Sequence, residues 1–398
     1  MAIQVQVAER ARVGVRRDAA ATDTAGFLRR LDWVLLAAAL ALVAYGLWVV
    51  GGITRFDVPG DENYYVVRQG IAAVLGLGAL LFAAVVPYHL ALRYWRVVYG
   101  ATIGLLLVVF AIAETIRGSK RWINLGVIQF QPSELGKVLF VLAIAAFLVE
   151  RAGRIMRWRT IFSAIGLGLG PIVLVFLQPD LGTALVYSAA LFALLFFVGV
   201  RWRQLLVLFV AATIVTLAVL WFLPASGVQV LKPYQAHRFT GFLNRDRDPG
   251  GLTWNVNQSI TAIGSGGLDG RGVVGASQTR LDYLPEHATD FAFASLGEQR
   301  GFVGSAILLL LYLLVVWRGL RVVTVAGDLF GAVVAGGLVF AFLFQIFVNV
   351  GMTMGVAPVT GIPLPFVAVG GTSVVSNLFL IGVLQGIHAR GNLGRLRP

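Results

Sequence analysis

Leu281 to Phe291 reads LDYLPEHATDF, which crowds Asp282, Glu286, His287 and Asp290 just ahead of an apolar run, Ala292 to Leu296. Carboxylates and an imidazole at the mouth of an apolar helix suit proton transfer. A partly desolvated carboxylate near cations can act as a general base, and Asp290 is the candidate for that role. The other reading of Asp290 is an N-cap, because Thr289-Asp290 directly precede the run. Glu298 and Arg300 lie further along it, where an unpaired charge inside a bilayer costs about 2.5–3.5 kcal/mol. They imply a polar cavity beside this helix or a structural pairing of Glu298 with an arginine.

A second group spans Thr115 to Lys137. Arg117, Lys120 and Arg121 precede Trp122, and Gln131-Pro132-Ser133-Glu134 follows, with Lys137 a few residues on. Pro132 and Ser133 suit a helix start, Glu134 suits the positive end of its dipole, and Lys137 falls near Glu134 on the same face. The cations fit an anionic headgroup such as a pyrophosphate. They also fit an interfacial girdle with Trp122 at headgroup level and Lys137 snorkelling outward. Asp180, in Gln178-Pro179-Asp180, reads first as the N-cap of the next helix, then as a partner for a basic residue. Asp248-Pro249-Gly250 is turn chemistry. The glycines at 264, 266, 267, 270, 272 and 275 are too irregular for a phosphate loop and predict tight backbone turns.

The elements that hold these residues are membrane helices. Hydrophobic residues make up 58% of the 398 and charged residues 13%, a balance rarely found in a soluble domain. A helical span needs about 20 mainly apolar residues. Ten runs qualify, at roughly 33–52, 67–86, 95–114, 133–150, 159–177, 182–200, 203–223, 291–316, 329–352 and 373–387. The fold is therefore expected to be all-α, a polytopic integral membrane protein of about ten transmembrane helices, because an open sheet cannot satisfy its backbone in lipid. The longest loop, 224–290, falls between helices 7 and 8, and its patterned sequence predicts order rather than low complexity. Pro363 and Pro365 in GIPLPF forbid continuous helix, so Gly351 to Thr372 reads as a re-entrant element flanking a substrate site. The domain plan is a disordered tail at 1–26, one membrane domain at 27–390 and a short tail at 391–398.

The absence of cysteine removes disulfides and thiolate chemistry, and four histidines make a His-rich metal centre unexpected. The net charge of +13 is read as topology. Arginines before the first span and after the second, fourth, sixth, eighth and tenth fall in alternate loops. The positive-inside rule puts those loops and both termini in the cytoplasm. The loops bearing Asp57, Lys120 to Trp122, Asp180 and Asp290 are then extracytoplasmic.

Taken together, the segments resemble the SEDS family (shape, elongation, division and sporulation proteins), closest in character to its elongation branch. The resemblance spans all ten runs. It rests on KRWINLG (120–126), QPSELGK (131–137), QPDLGT (178–183) and the glycine-patterned stretch Gln258 to Gly272. LPEHATDF (284–291), GE..G (297–301) and TGIPLPF with GGTS (360–373) complete the set. It implies a peptidoglycan glycosyltransferase that polymerises lipid II at the outer face of the cytoplasmic membrane during elongation and shape maintenance. It also implies a class B penicillin-binding protein as transpeptidase partner. Asp290 then matches the family's essential acid, Trp122 its RWI tryptophan and Lys137 its QP.EL.K lysine. Lys120, Arg121, Glu134, Glu286 and Glu298 would line the substrate site. Two departures stand out: the histidine that usually adjoins Thr289 is one residue earlier, as His287, and Ala368-Val369 replace the usual Ser-Tyr. No ligand set demands a metal, although a divalent cation (Mg2+ or Mn2+) is compatible with pyrophosphate chemistry. The alternatives are a lipid II flippase, which fits intramembrane charges and broken helices, and a non-catalytic scaffold for the penicillin-binding protein.

Overall fold

The computed structural model describes residues 27, 29–116, 119–124, 126, 129–222, 242 and 251–391. The tails expected at 1–26 and after 391, and Arg117, lie outside these. Ten helices match the ten predicted runs: α1 Trp33–Ile53, α2 Tyr64–Val85, α3 Trp95–Ile112, α4 Pro132–Glu150, α5 Trp158–Leu177, α6 Leu181–Phe197, α7 Trp202–Leu217, α9 Ala292–Val325, α10 Leu329–Thr353 and α11 Gly371–Gly391. Eight are long and apolar enough to cross a bilayer alone, and α6 and α7 are shorter apolar helices. α7 is prolonged by a π-turn, Ala218–Phe222. The predicted membrane bundle is thus the fold observed.

The bundle has a centre and a rim. Buried positions make up 83%, 72% and 89% of the apolar stretches of α4, α10 and α11, against 17% for α3. The three enclosed helices carry buried polar side chains inward, among them Lys137 on α4, Gln345 and Asn349 on α10 and Asn377 on α11. α11 packs along α2, α10 along α6, and α9 against α1 and α10.

Three features depart from the expectation. First, Glu114–Ile116 (β1), Ser119–Asn124 (β2) and Gln129–Phe130 (β3) form a small antiparallel sheet in the order β1-β2-β3. Glu114 pairs with Trp122, and Ile123 with Phe130. Its open edges are tolerable because it lies in a loop between spans rather than in hydrocarbon. Second, the described part of the 224–290 loop is largely helical, with α8 at Gly251–Gly266 and two short turns at Gly272–Gly275 and Ser277–Arg280. Third, α9 starts as a half-helix, Ala292 to Arg300, that breaks at Gly301 (φ +62°) before the long span begins.

That break explains the glycine pattern. Phe302 N–H and Val303 N–H donate to Gly267 O at 2.9 Å and Leu268 O at 3.1 Å, so the chain leaving α8 replaces the missing helical turn. A Cβ on Gly301 would run into Leu268 O, and one on Gly266 into Gly297 O. Glycine is required because two backbones touch there. α8, the 267–280 turn and the half-helix therefore dock as one block.

Candidate active site

The site is built around two polar residues one turn apart on α10, Gln345 and Asn349, both fully buried. The tract 354–370 is not helical. Pro363 and Pro365 remove backbone donors and leave carbonyls needing partners inside the protein. Asn349 Nδ2 donates to Ile362 O at 2.7 Å, Gln345 Nε2 to Pro363 O at 2.9 Å, and Tyr312 O–H to Pro365 O. This is the re-entrant element read from the sequence, held down by the helix before it.

The same two residues reach the chemistry-bearing segments. Asn349 Nδ2 also donates to Asp290 O at 3.0 Å. Lys137 Nζ donates to Gln345 Oε1 at 2.8 Å and to Glu134 Oε2 at 3.1 Å. Lys137 and Glu134 share a face of α4 as predicted, and their side chains are 2% and 3% exposed. Four residues of helix rise about 6 Å, so the Asp290 main chain and the Lys137 amine sit about one turn apart in depth. The capping position of α9 falls on Phe291, which offers no side-chain oxygen. Asp290 stands one residue before the cap, half-buried.

Asp180 joins the group by the two structural roles foreseen for it. It caps α6, accepting from Thr183 N–H at 3.1 Å and Thr183 Oγ1 at 2.9 Å. It also accepts from Gln131 Nε2 at 2.8 Å and pairs with Arg121 Nη1 at 3.6 Å. Thr372 of the GGTS turn accepts from Gln131 N–H at 3.1 Å and donates to Gln129 O at 2.6 Å. The start of α11 is thereby tied to the start of α4. Gln69 of α2 donates to Ala368 O at 3.1 Å and accepts from Gly370 N–H at 3.2 Å. Val369 N–H donates to Ala288 O at 2.8 Å, which links that turn to the Asp290 segment through backbone alone. The departure from Ser-Tyr at 368–369 therefore leaves this contact intact.

A cleft of ≈ 260 Å³ opens beside the segment, lined by Asp57, Tyr65, Asp282, Glu286, His287, Thr289 and Val369 among others. Glu286 Oε2 accepts from Thr289 Oγ1 at 2.9 Å. His287 Nε2 lies 3.1 Å from Asp57 Oδ1 and 3.2 Å from Oδ2. Burial by itself would lower the His287 pKa. The Asp57 hydrogen bond and the charges of Asp57 and Asp282 outweigh it, and the pKa is raised above the usual imidazole value.

Lys137, Glu134 and Asp290 converge through α10, Arg121 joins through Asp180, and Glu286 faces the cleft. Trp122 is half-buried on β2. Lys120 is on the same strand, its side chain outside the described residues. Glu298 is placed elsewhere: it is fully buried, and its oxygens accept from Gln278 N–H at 2.8 Å, Thr279 N–H at 2.9 Å and Thr279 Oγ1 at 2.7 Å. It is a cap that fastens the 277–280 turn to the half-helix, so its charge is met by two backbone amides and a hydroxyl rather than by a polar cavity or an arginine. Arg300 stacks over Trp48, 4.0 Å from the ring centroid. Direct contact between Lys137 and a pyrophosphate would require its ion pair to open. Sequence reasoning missed the clamping role of Gln345 and Asn349, although two amides four residues apart in an apolar helix were a legible signal. Asp57 gave no signal, because its partner is remote in sequence.

Comparison with known proteins agrees with this geometry. The cell cycle protein family FtsW/RodA/SpoVE matches residues 30–392. The peptidoglycan glycosyltransferase MrdB of Escherichia coli K12 is 36% identical over 360 residues, covering 90% of this chain and 93% of the relative. A probable peptidoglycan glycosyltransferase FtsW of Thioalkalivibrio sulfidiphilus is also 36% identical, covering 94% and 93%. A solved peptidoglycan synthase complex, described as coordinating polymerization and crosslinking, contains a chain that superposes with a TM-score of 0.77. That chain is 31% identical, with 91% of this chain and 98% of that one covered. With nearly its whole length matched and its motifs gathered at one end of a ten-helix bundle, the chain belongs to the FtsW/RodA/SpoVE family of cell cycle proteins.

Proposed function

We propose that this multi-pass membrane peptidoglycan glycosyltransferase polymerises lipid II at the outer face of the cytoplasmic membrane, with Asp290 as the general base. The GlcNAc 4-hydroxyl of one chain attacks the anomeric carbon of the other. The new C–O bond forms as the bond to the polyprenyl pyrophosphate breaks, and Asp290 takes the hydroxyl proton. A hydroxyl is a poor nucleophile, and a positioned base contributes roughly 10²–10⁴-fold. Lys120 and Arg121 on β2 would neutralise the leaving pyrophosphate, with Lys137 reaching it once its ion pair opens. Among the described residues, no three acidic or histidine side chains are grouped to hold a metal, so no step is derived through a divalent cation.

The observation that carries this reading is the clamp of Asn349 on the Asp290 main chain, one helical turn along α10 from the Gln345 that holds Lys137. The topology rests on the arginines falling at the opposite end of the bundle from these motifs. A class B penicillin-binding protein is the proposed partner, by likeness to the synthase complex. The elongation role is likewise a proposal, since relatives named MrdB and FtsW are matched at equal identity.

Reconstitution in liposomes with lipid II separates this reading from its transport rival. Glycan ladders without translocation are expected from the wild type with its partner. Translocation without ladders would instead support a flippase.

A further inference from the structure

The segment from Glu286 to Asp290 is held almost residue by residue. Thr289 N–H and Phe291 N–H both donate to Glu286 O at 3.1 Å. Ser295 Oγ donates to His287 O at 3.0 Å, Val369 N–H to Ala288 O, and Asn349 to Asp290 O. Nearly all these restraints act on the main chain. A side-chain link to another part of the fold is His287, which reaches across the cleft to Asp57 in the turn between α1 and α2. Their side chains are 12% and 20% exposed, so water competes little for the contact. Nδ1 of the same ring faces Asp282 Oδ1 at 3.6 Å. Asp282 and Glu286 both have positive φ, +57° and +56°. Two such residues in a short turn persist only where outside contacts hold them.

Resting on the assignment of Asp290 as base, we infer that His287 and Asp57 form a positioning latch: protonated His287 ties the α1–α2 turn to the segment that presents Asp290. Neither residue touches the reacting atoms. Asp290 lies three residues beyond His287, and a base displaced by a fraction of an ångström loses much of its effect. The histidine stands one residue earlier than usual in this family, and here that register is the one that meets Asp57.

The charged and titratable groups facing the ring are Asp57 from the α1–α2 turn, Asp282 and Glu286 from its own segment, and Tyr65 from α2. Asp57 and Asp282 favour imidazolium. Its pKa is raised, so the latch is complete below the ordinary imidazole value and is lost as pH rises through the folded value.

The test is steady-state polymerisation of lipid II by the full chain with its partner, at several pH values. Wild type, His287→Ala, His287→Gln, Asp57→Asn, the His287→Gln/Asp57→Asn double variant and Asp290→Ala are compared, normalised to folded protein. His287→Ala and Asp57→Asn are expected to lower kcat at least tenfold with KM for lipid II within about twofold. The double variant should lose no more than the worse single change. Gln at 287 keeps a neutral donor toward Asp57 but no charge and cannot titrate, so it should hold a rate near the wild type's alkaline limit at every pH and lack the alkaline fall. Wild-type kcat in both His287→Ala and Asp57→Asn, or an unchanged alkaline fall in His287→Gln, would overturn the latch. If Asp290→Ala is inactive while the His287 and Asp57 variants behave as wild type, the latch fails and the base survives. If Asp290→Ala remains active, the underlying assignment fails.

Discussion

The two ends of the bundle solve the same problem in different ways. At the arginine-rich end, buried carboxylates are saturated by rigid partners. Asp32 caps α1 through Leu35 N–H at 3.0 Å and takes Arg318 through Nε and Nη2, the shorter contact at 2.6 Å. Gln385 brackets its backbone at 2.8 Å on both sides. Asp328 caps α10 through Gly331 N–H and accepts from Tyr88 O–H at 2.5 Å. At the motif end, the helices stop short, a re-entrant tract fills the space, and amides clamp carbonyls. Asn349 Oδ1, Ser133 Oγ and Gln278 Oε1 are buried there without a protein partner. One end is a set of locks. The other sets its amide clamps beside a cleft lined by Asp57, Asp282, Glu286 and His287, as a site for a polar substrate requires. Buried polar atoms without a protein partner occur at both ends, with His89 Nδ1 and Gln204 Oε1 at the arginine-rich one.

The sharpest way to break this contrast is to remove the proposed base. Asp290→Asn should cut polymerisation by roughly 10²–10⁴-fold while leaving thermal stability within about 0.5 kcal/mol of wild type. Breaking a buried pair at each end comes next. Arg318→Met leaves Asp32 buried without its guanidinium partner, and Lys137→Met leaves Glu134 buried without its ammonium. Each should cost about 3–5 kcal/mol of stability. Per folded molecule, however, only Lys137→Met should lose activity, as thermal melts paired with ladder assays will show.

Gly301→Ala comes third. The Cβ would meet Leu268 O, and the positive φ disfavours it, for a combined cost of about 1–3 kcal/mol. The α8 block should loosen and misplace Asp290, which lowers kcat more than stability. Hydrogen exchange should rise in 267–280 and 292–300 and stay unchanged at the arginine-rich end.

The smallest effect is the response of the two ends to pH. Burial opposes ionisation of Asp328, but hydrogen bonds from His89, Tyr88 and Gly331 outweigh it, and its pKa is lowered. Its contribution to stability is therefore present above the ordinary carboxylate value and fades as pH falls through the folded one. His287, with a raised pKa, contributes below the ordinary imidazole value and fades as pH rises through the folded one. Hydrogen exchange resolved by segment should loosen the Asp328 cap in acid and the 281–290 segment in base.

Much of this was legible in the sequence because bilayer physics is restrictive. Apolar run length located the helices, and prolines marked the re-entrant tract. Glu134 with Lys137, and Asp180 as a cap, followed from local spacing. The rest depended on contacts between remote segments. Glu298 looked like a charge needing a cavity because its partners are backbone amides on a separate turn, which no composition signal reveals. The α9 break at Gly301 was hidden because Gly267 and Leu268 supply its missing partners from outside the helix. The sheet at 114–130 was hidden by its short strands, and Asp57 by its distance in sequence from His287.

The central claim is tested most directly by comparing wild type with Asp290→Asn, each purified with its transpeptidase-inactivated partner and given lipid II. The account predicts glycan ladders from the wild type and none from a variant that melts at the same temperature. Ladders of wild-type rate and length from Asp290→Asn would contradict it.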